Sequence, residues 1–217
     1  MAVFKLTKCS YVFPPTALAD SDGLLAYGGD LSMPRLLSAY QNGIFPWFNP
    51  GEEILWWSPH ERFVIFPKEI HVSRSMKKAI PKSGLYTRIN FDFAGVVKGC
   101  RARREGGTWL SDDMEEAYNA LFENGYAMSV GVYKEDKLVG GLYGVLLGRC
   151  FFGESMFSDA DNASKLALID LCKNDFVFVD CQFHTPHLEK MGGRYIKWGE
   201  YRRLLREGVG DEWKKEL

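Results

Sequence analysis

Between Ser111 and Gly125 the apolar residues Met114, Ala117, Tyr118, Leu121 and Phe122 fall at i, i+3, i+4, i+7 and i+8. That spacing predicts an amphipathic helix. Ser111 is placed to cap it, Asp112, Asp113, Glu115 and Glu116 crowd the positive end of its dipole, and Gly125 closes it. The pattern then changes period. Ala127 to Tyr133 and Leu138 to Leu147, joined by the polar turn Lys134-Glu135-Asp136-Lys137, read as a hairpin, and Cys150 to Phe157 as a third strand. A helix over Asn162 to Lys173, a strand over Phe176 to Phe183 and a short helix over His187 to Met191 follow, ended by Gly192-Gly193.

Upstream the signals are shorter. Ser32 with Pro34 opens a helix whose apolar residues are Leu36, Leu37 and Tyr40 and whose stop is Gly43. Phe45 to Pro59 reads as turns rich in aromatics. Arg62 to Phe66 and Tyr86 to Phe91 read as strands, Ser73 to Ile80 as a basic helix and Phe93 to Arg103 as another helix. Elements in this order predict an α+β protein: a small N-terminal α/β domain over residues 1–65, a basic linking region to about residue 104, and a mixed-sheet domain within 66–217.

Composition sharpens this picture only in part. With 217 residues, 46% hydrophobic and 14% aromatic, the chain can bury one large core or two smaller ones. The longest uncharged apolar stretch, Leu138 to Gly148, is too short and too rich in glycine to span a bilayer, so a soluble, non-exported protein is expected. Five cysteines without a CxxC pair argue against a disulfide framework and for a reducing cytoplasm. The net charge of −1 conceals an asymmetry. From Lys68 to Arg104 ten Lys or Arg face two acids, Glu69 and Asp92, which leaves +8. Such a stripe, with Arg74, Lys77 and Lys78 on the basic helix, can contact phosphates; a solvated lysine-rich surface is the plainer alternative.

Three groups of residues could carry chemistry. In Val177-Phe178-Val179-Asp180-Cys181-Gln182 an apolar strand ends in polar residues, and strand alternation puts Asp180 and Gln182 on one face, an acceptor beside an amide. A polar strand end meeting solvent has the same pattern. In Phe152-Gly153-Glu154-Ser155-Met156, Glu154 and Met156 share a face, and a carboxylate among aromatics needs partners, either a substrate amine or ribose, or backbone amides. The third group is aromatic. Tyr40, Phe45, Trp47, Trp56, Trp57 and Trp109 include rings in loops beside Pro and Gly, where stacking on a nucleobase competes with ordinary core packing. His184 and His187 have metal-ligand spacing but lack a companion ligand, and no nucleotide-binding glycine loop is present.

Taken together, Gly23-Leu24-Leu25-Ala26-Tyr27-Gly28-Gly29-Asp30-Leu31, Tyr40-Gln41-Asn42-Gly43-Ile44-Phe45-Pro46-Trp47-Phe48, Leu55-Trp56-Trp57-Ser58-Pro59, Gly107-Thr108-Trp109, Gly140-Gly141-Leu142-Tyr143-Gly144, Phe152-Gly153-Glu154-Ser155-Met156-Phe157-Ser158 and Asp180-Cys181-Gln182 resemble the leucyl/phenylalanyl-tRNA–protein transferase family. The resemblance runs from Phe13 to about Leu204, with departures mostly after Gln182, at Phe183-His184-Thr185-Pro186. It implies an acetyltransferase-like (GNAT-like) second domain and transfer of Leu or Phe, less well Met, from aminoacyl-tRNA to proteins beginning with Lys or Arg, which marks them for degradation. It implies no cofactor and no metal. By the same resemblance Asp180 and Gln182 form the catalytic point with Glu154 in the acceptor or ribose-side polar network beside it, and Trp47 and Trp109 surround the terminal adenosine, with Tyr40 and Tyr118 supporting that wall. The side chain of the transferred amino acid then needs an apolar pocket, for which Met156, Leu142, Leu171 and Val179 are the candidates. A monomer is expected. Two rivals remain at this point, an acyl-CoA-dependent N-acetyltransferase and a non-catalytic tRNA-binding adaptor. The first is disfavoured because Ser158-Asp159-Ala160-Asp161-Asn162, where that fold binds pyrophosphate, is acidic and lacks glycine.

Overall fold

The structure is a computed structural model and describes residues 3–102 and 110–210. Two sheets organise it. The smaller has four strands in the order β1 (Phe4–Leu6), β2 (Leu24–Gly28), β4 (Leu55–Trp57), β3 (Phe45–Pro46). The larger has seven, in the order β11 (Arg194–Lys197), β5 (Glu61–Ile65), β10 (Phe178–Asp180), β9 (Cys150–Ser158), β8 (Lys137–Leu147), β7 (Ala127–Lys134), β6 (Tyr86–Ile89). The helices are α1 (Met33–Gln41), α2 (Arg74–Ala79), α3 (Phe93–Ala102), α4 (Asp112–Glu123), α5 (Ala163–Leu171), α6 (Pro186–Lys190) and α7 (Trp198–Val209). The expected α+β class is what the chain adopts. Strand β6, two helices, the antiparallel β7–β8–β9 and then α5 leading to a parallel β10 reproduce the acetyltransferase-like order. Among the described residues no helix is long and apolar enough to cross a membrane.

The run Ala127 to Tyr133 is apolar at nearly every position because β7 is covered on both faces. On one face Phe93, Val96 and Val97 of α3 and Met114, Tyr118 and Leu121 of α4 join Leu25 and Trp56 of the small sheet and Leu204 and Leu205 of α7 in one cluster. On the other face Ala163, Ala167, Leu168 and Leu171 of α5 pack with Val130, Leu142, Phe151 and Val179. The hairpin turn follows from Glu135 and Asp136, both left-handed at φ +50° and +59°, as a two-residue turn that matches strand twist requires. Ser111 caps α4 through Met114 N, as its sequence predicts, whereas the Ser32 hydroxyl donates to Asp30 and leaves α1 without a side-chain cap.

Several expectations shift. The stretch read as aromatic turns supplies β3 and β4, which pair with each other. The strand expected over 176–183 hydrogen-bonds as β10 only from Phe178 to Asp180. Strand β11 and helix α7 were not anticipated. Strand β5 bonds only within the larger sheet, to β10 and β11, although it lies before residue 66.

Candidate active site

Strands β9 and β10 run parallel, with Phe178, Val179 and Asp180 opposite Cys150, Phe151 and Phe152. Strand β10 then stops while β9 continues to Ser158, so the two part at their carboxyl ends. In open sheets that is where ligands collect. A cavity of about 420 Å³ occupies the gap, and Leu142, Met156, Leu171 and Val179 all line it, with Phe151, Leu168 and Leu188 completing apolar walls. Glu154, Gln182, Thr185 and His187 supply its polar groups. The size and the mix of apolar wall with few polar groups are those of a small-ligand site.

Glu154 is the extra residue of a β-bulge. Tyr143 pairs with Ser155 and Gly144 with Gly153, which leaves Glu154 without a partner across the ladder. The bulge breaks the alternation that the sequence implied. Glu154 turns to Tyr40 and Tyr118 of one core cluster while Met156 packs with the other, so the two do not share a face, although both border the cavity. Glu154 Oε1 accepts from the Tyr40 hydroxyl at 2.7 Å and from Gln182 Nε2 at 3.2 Å, and Oε2 accepts from the Tyr118 hydroxyl at 2.6 Å. The two phenols are 3.1 Å apart. Burial pushes the Glu154 pKa up to about 7, with the Asp180 charge adding to the rise and the three donors opposing it. Burial and the Glu154 charge push both phenols well above their usual range, so they remain donors.

Asp180 occupies a different setting from the one its sequence suggested. It is 1% exposed and does not line the cavity. Its Oδ1 accepts from the Gln182 backbone N–H at 2.8 Å, its Oδ2 from the Tyr201 hydroxyl at 2.7 Å, and Arg62 Nε lies 3.7 Å from Oδ2. Gln182 is left-handed at φ +58°, so alternation has already ended there and the two side chains do not converge side by side. Asp180 reaches the cavity through Gln182. Burial is the largest influence on the Asp180 carboxyl and raises its pKa, opposed by Arg62, Tyr201 and the Gln182 amide.

Trp47 is 44% exposed and stands in a cluster with Trp57 at 5.7 Å and Phe183 at 5.3 Å between ring centroids. Trp57 Nε1 donates to the Trp47 carbonyl at 2.7 Å and fixes that loop. Phe183, itself 39% exposed, lines the cavity, so the ring platform adjoins its mouth. Trp109 lies outside the described residues. Arg74, Lys77 and Lys78 are exposed on α2, whose Ser73 cap accepts from Met76 N. A second groove of about 550 Å³, lined by Ser75 and Met76 of α2 with Lys165 and Lys190, shares His187 with the cavity. Among the described residues no cluster of His, Cys, Asp or Glu could hold a metal ion, and His184 Nε2 meets Glu189 Oε2 at 3.0 Å.

The sequence reading did not select Arg62, Tyr201, Phe183 or His187. Tyr201 had a legible signal, because Trp198, Tyr201, Leu204 and Leu205 have helical spacing. Arg62 had none, since a charged residue in a strand gives no sign of being fully buried.

The strand order is acetyltransferase-like, and the cavity lies where its parallel strands part. The leucyl/phenylalanyl-tRNA protein transferase family matches residues 64–206, and the N-terminal domain of the same family matches residues 29–60. A leucyl/phenylalanyl-tRNA–protein transferase of Syntrophus aciditrophicus is 50% identical over 91% of this chain and 86% of its own length. Namesakes from Thiobacillus denitrificans and Pseudomonas entomophila are 51% and 47% identical, over 94% and 96% of this chain and 92% and 97% of theirs. The chain belongs to the leucyl/phenylalanyl-tRNA–protein transferase family of aminoacyltransferases.

Proposed function

We propose that this chain moves leucine or phenylalanine, and less well methionine, from its tRNA ester to the free α-amine of proteins that begin with Lys or Arg, and so marks them for degradation. The observation that carries this reading is the apolar cavity at the parted ends of β9 and β10, with Glu154 and Gln182 at its polar rim. In it the transferred side chain lies against Leu142, Met156, Leu171 and Val179. The ester carbonyl sits at the rim. The terminal adenosine stacks on Trp47 and Phe183, with Arg74, Lys77 and Lys78 toward the phosphates. Residues 1–65 supply Trp47 to the aromatic wall and Tyr40 to the Glu154 network, residues 66–217 form the cavity itself, and the enzyme works as a monomer in the cytoplasm.

An aminoacyl ester is already activated, so attack by an amine needs no ATP. The amine nitrogen bonds to the carbonyl carbon, the bond from that carbon to the ribose oxygen breaks, and the proton shed by the amine ends on that oxygen. The nucleophile is the difficulty, because an α-amine has a pKa of roughly 7.7–8.0 and is largely protonated at neutral pH. Glu154 is suited to receive that proton. Its pKa of about 7 lies close to the amine's, and three donors leave roughly one of its four lone-pair sites open. Gln182 orients that carboxylate, and Asp180 acts behind Gln182.

The test mixes the protein with radiolabelled Leu-tRNA and an Arg-initiated peptide, without ATP, beside an N-acetylated control peptide. Label is expected in the free peptide alone. Binding of charged tRNA without transfer would replace this reading with a tRNA-binding adaptor.

A further inference from the structure

Gln182 holds its side-chain amide on Glu154 from a left-handed backbone that a non-glycine residue adopts only under constraint. The constraint comes from behind the site. Asp180 Oδ1 ties down the Gln182 N–H at 2.8 Å, and Asp180 is itself held by the Tyr201 hydroxyl at 2.7 Å. Arg62 is fully buried beside the same oxygen, 3.7 Å away, with its guanidinium between the rings of Phe45 and Tyr201 at 4.8 and 4.7 Å and its Nη2 donating to the Gly43 carbonyl. Gly43 has no room for a side chain, since a Cβ there would lie 2.7 Å from Trp198 and Tyr201. The end of α1, the start of β5 and the first turns of α7 therefore close on one carboxylate that does not border the cavity.

Resting on the transfer reading above, we infer that Tyr201 and Arg62 are positioning residues for the reaction: through Asp180 they fix the Gln182 backbone, and through it the amide that holds Glu154. Helix α7 is then part of the active-site apparatus as well as of the core. A carboxylate with these partners is costly to disturb singly, because each removed donor leaves a buried charge less satisfied. It is also an ordered chain of contacts, so its members act as one unit.

Intact protein carrying Tyr201→Phe, Asp180→Asn, both changes, or Arg62→Lys would be compared with wild type in single-turnover transfer at saturating charged tRNA. Charged-tRNA affinity and hydrogen exchange at the Gln182 amide would be measured alongside. Tyr201→Phe removes one oxygen and is expected to slow transfer about 10-fold, the usual consequence of losing a hydrogen bond to a charged group. Affinity for charged tRNA should stay within about twofold, exchange at Gln182 should rise, and the double variant should be no slower than Asp180→Asn alone. Arg62→Lys should show the same pattern and decides the matter if Tyr201→Phe does not fold. Transfer at the wild-type rate in both Tyr201→Phe and Arg62→Lys, losses that multiply in the double variant, or unchanged exchange at Gln182 would each overturn the inference. Absence of transfer by wild type would instead overturn the functional reading, and the exchange measurement would then judge the network by itself.

Discussion

At the scale of residues, the decisive contrast is between two carboxylates that look alike in sequence. Asp180 has a buried cation and two donors and is sealed from the cavity, while Glu154 has three neutral donors and a place on the cavity wall. Glu154 is therefore the group whose titration the reaction should report. With its pKa at about 7, transfer should rise with pH through that value as the carboxylate forms. Glu154→Gln should lose that limb, keep only the one belonging to the peptide amine, and run roughly 100-fold slower. Tyr118→Phe removes a bond that favours the charged form, so the midpoint in single-turnover pH profiles should move above 7. Stability should follow the same titration. A carboxyl whose folded pKa is raised binds its proton more tightly when folded, so its contribution is fully present below the unfolded value of ~4.3 and is lost as pH rises through 7. Glu154→Gln lacks that loss. Its stability relative to wild type should improve by on the order of 2 kcal/mol between pH 4.5 and pH 8 in denaturant titrations, a figure already reduced for the carboxyl's residual contact with the cavity.

At the scale of elements, the cavity exists because β9 outruns β10 and carries a bulge at Glu154. Its floor is set by side chains from β8, β9, β10 and α5, so its depth can be altered one wall at a time. Met156→Phe should exclude phenylalanine while still admitting leucine, moving the ratio of transfer from Leu-tRNA over Phe-tRNA upward by roughly 10-fold or more, as competition between the two charged tRNAs would measure. Gly43→Ala should cost about 2 kcal/mol in thermal or denaturant unfolding, from a backbone at φ +70° and a Cβ driven into Trp198 and Tyr201. The same elements mark how far the sequence could be read. Strong periodicity gave α4 and the hairpin nearly to the residue, because burial of one stripe or of both sheet faces dictates the pattern. Of the candidates for the apolar wall, Leu142 and Met156 lie in the family motifs and Leu171 and Val179 outside them, and all four line the cavity. What stayed hidden was tertiary in origin: the bulge that reverses the face of Met156, and the left-handed turn at Gln182 that separates it from Asp180. Short strands such as β3 take their hydrogen bonds from partners far along the chain, and two or three residues carry no period.

At the scale of the molecule, the net charge of −1 is divided unequally, and the structure separates the cations of the basic stripe by what they already hold. Arg88 pairs with Asp136 at 3.6 Å and lies over Phe91 at 4.4 Å, and Arg101 pairs with Asp112 and Glu115. Arg74, Lys77 and Lys78 are exposed on α2 and have no carboxylate partner among the described residues. Helix α2 also borders, through Ser75, Met76 and Ala79, the groove that meets the cavity at His187, so phosphates leading to an ester in the cavity would run beside the helix that carries these three side chains, which stand outside the groove's own lining. Phosphate contacts release counterions, and each one adds about one unit to the slope of log affinity against log salt. Replacing Arg74, Lys77 and Lys78 together by Gln should therefore flatten that slope for charged tRNA by roughly two to three units and weaken binding at 50 mM salt far more than at 300 mM. Arg88→Gln removes one such charge from a site already paired with Asp136 and should leave the slope within about half a unit. Equal slopes for the triple variant and wild type would move the phosphate path away from α2. A flattening by Arg88→Gln of about one third of the triple variant's would mean that only total charge counts, and that the placement of α2 beside the cavity has no part in holding the tRNA.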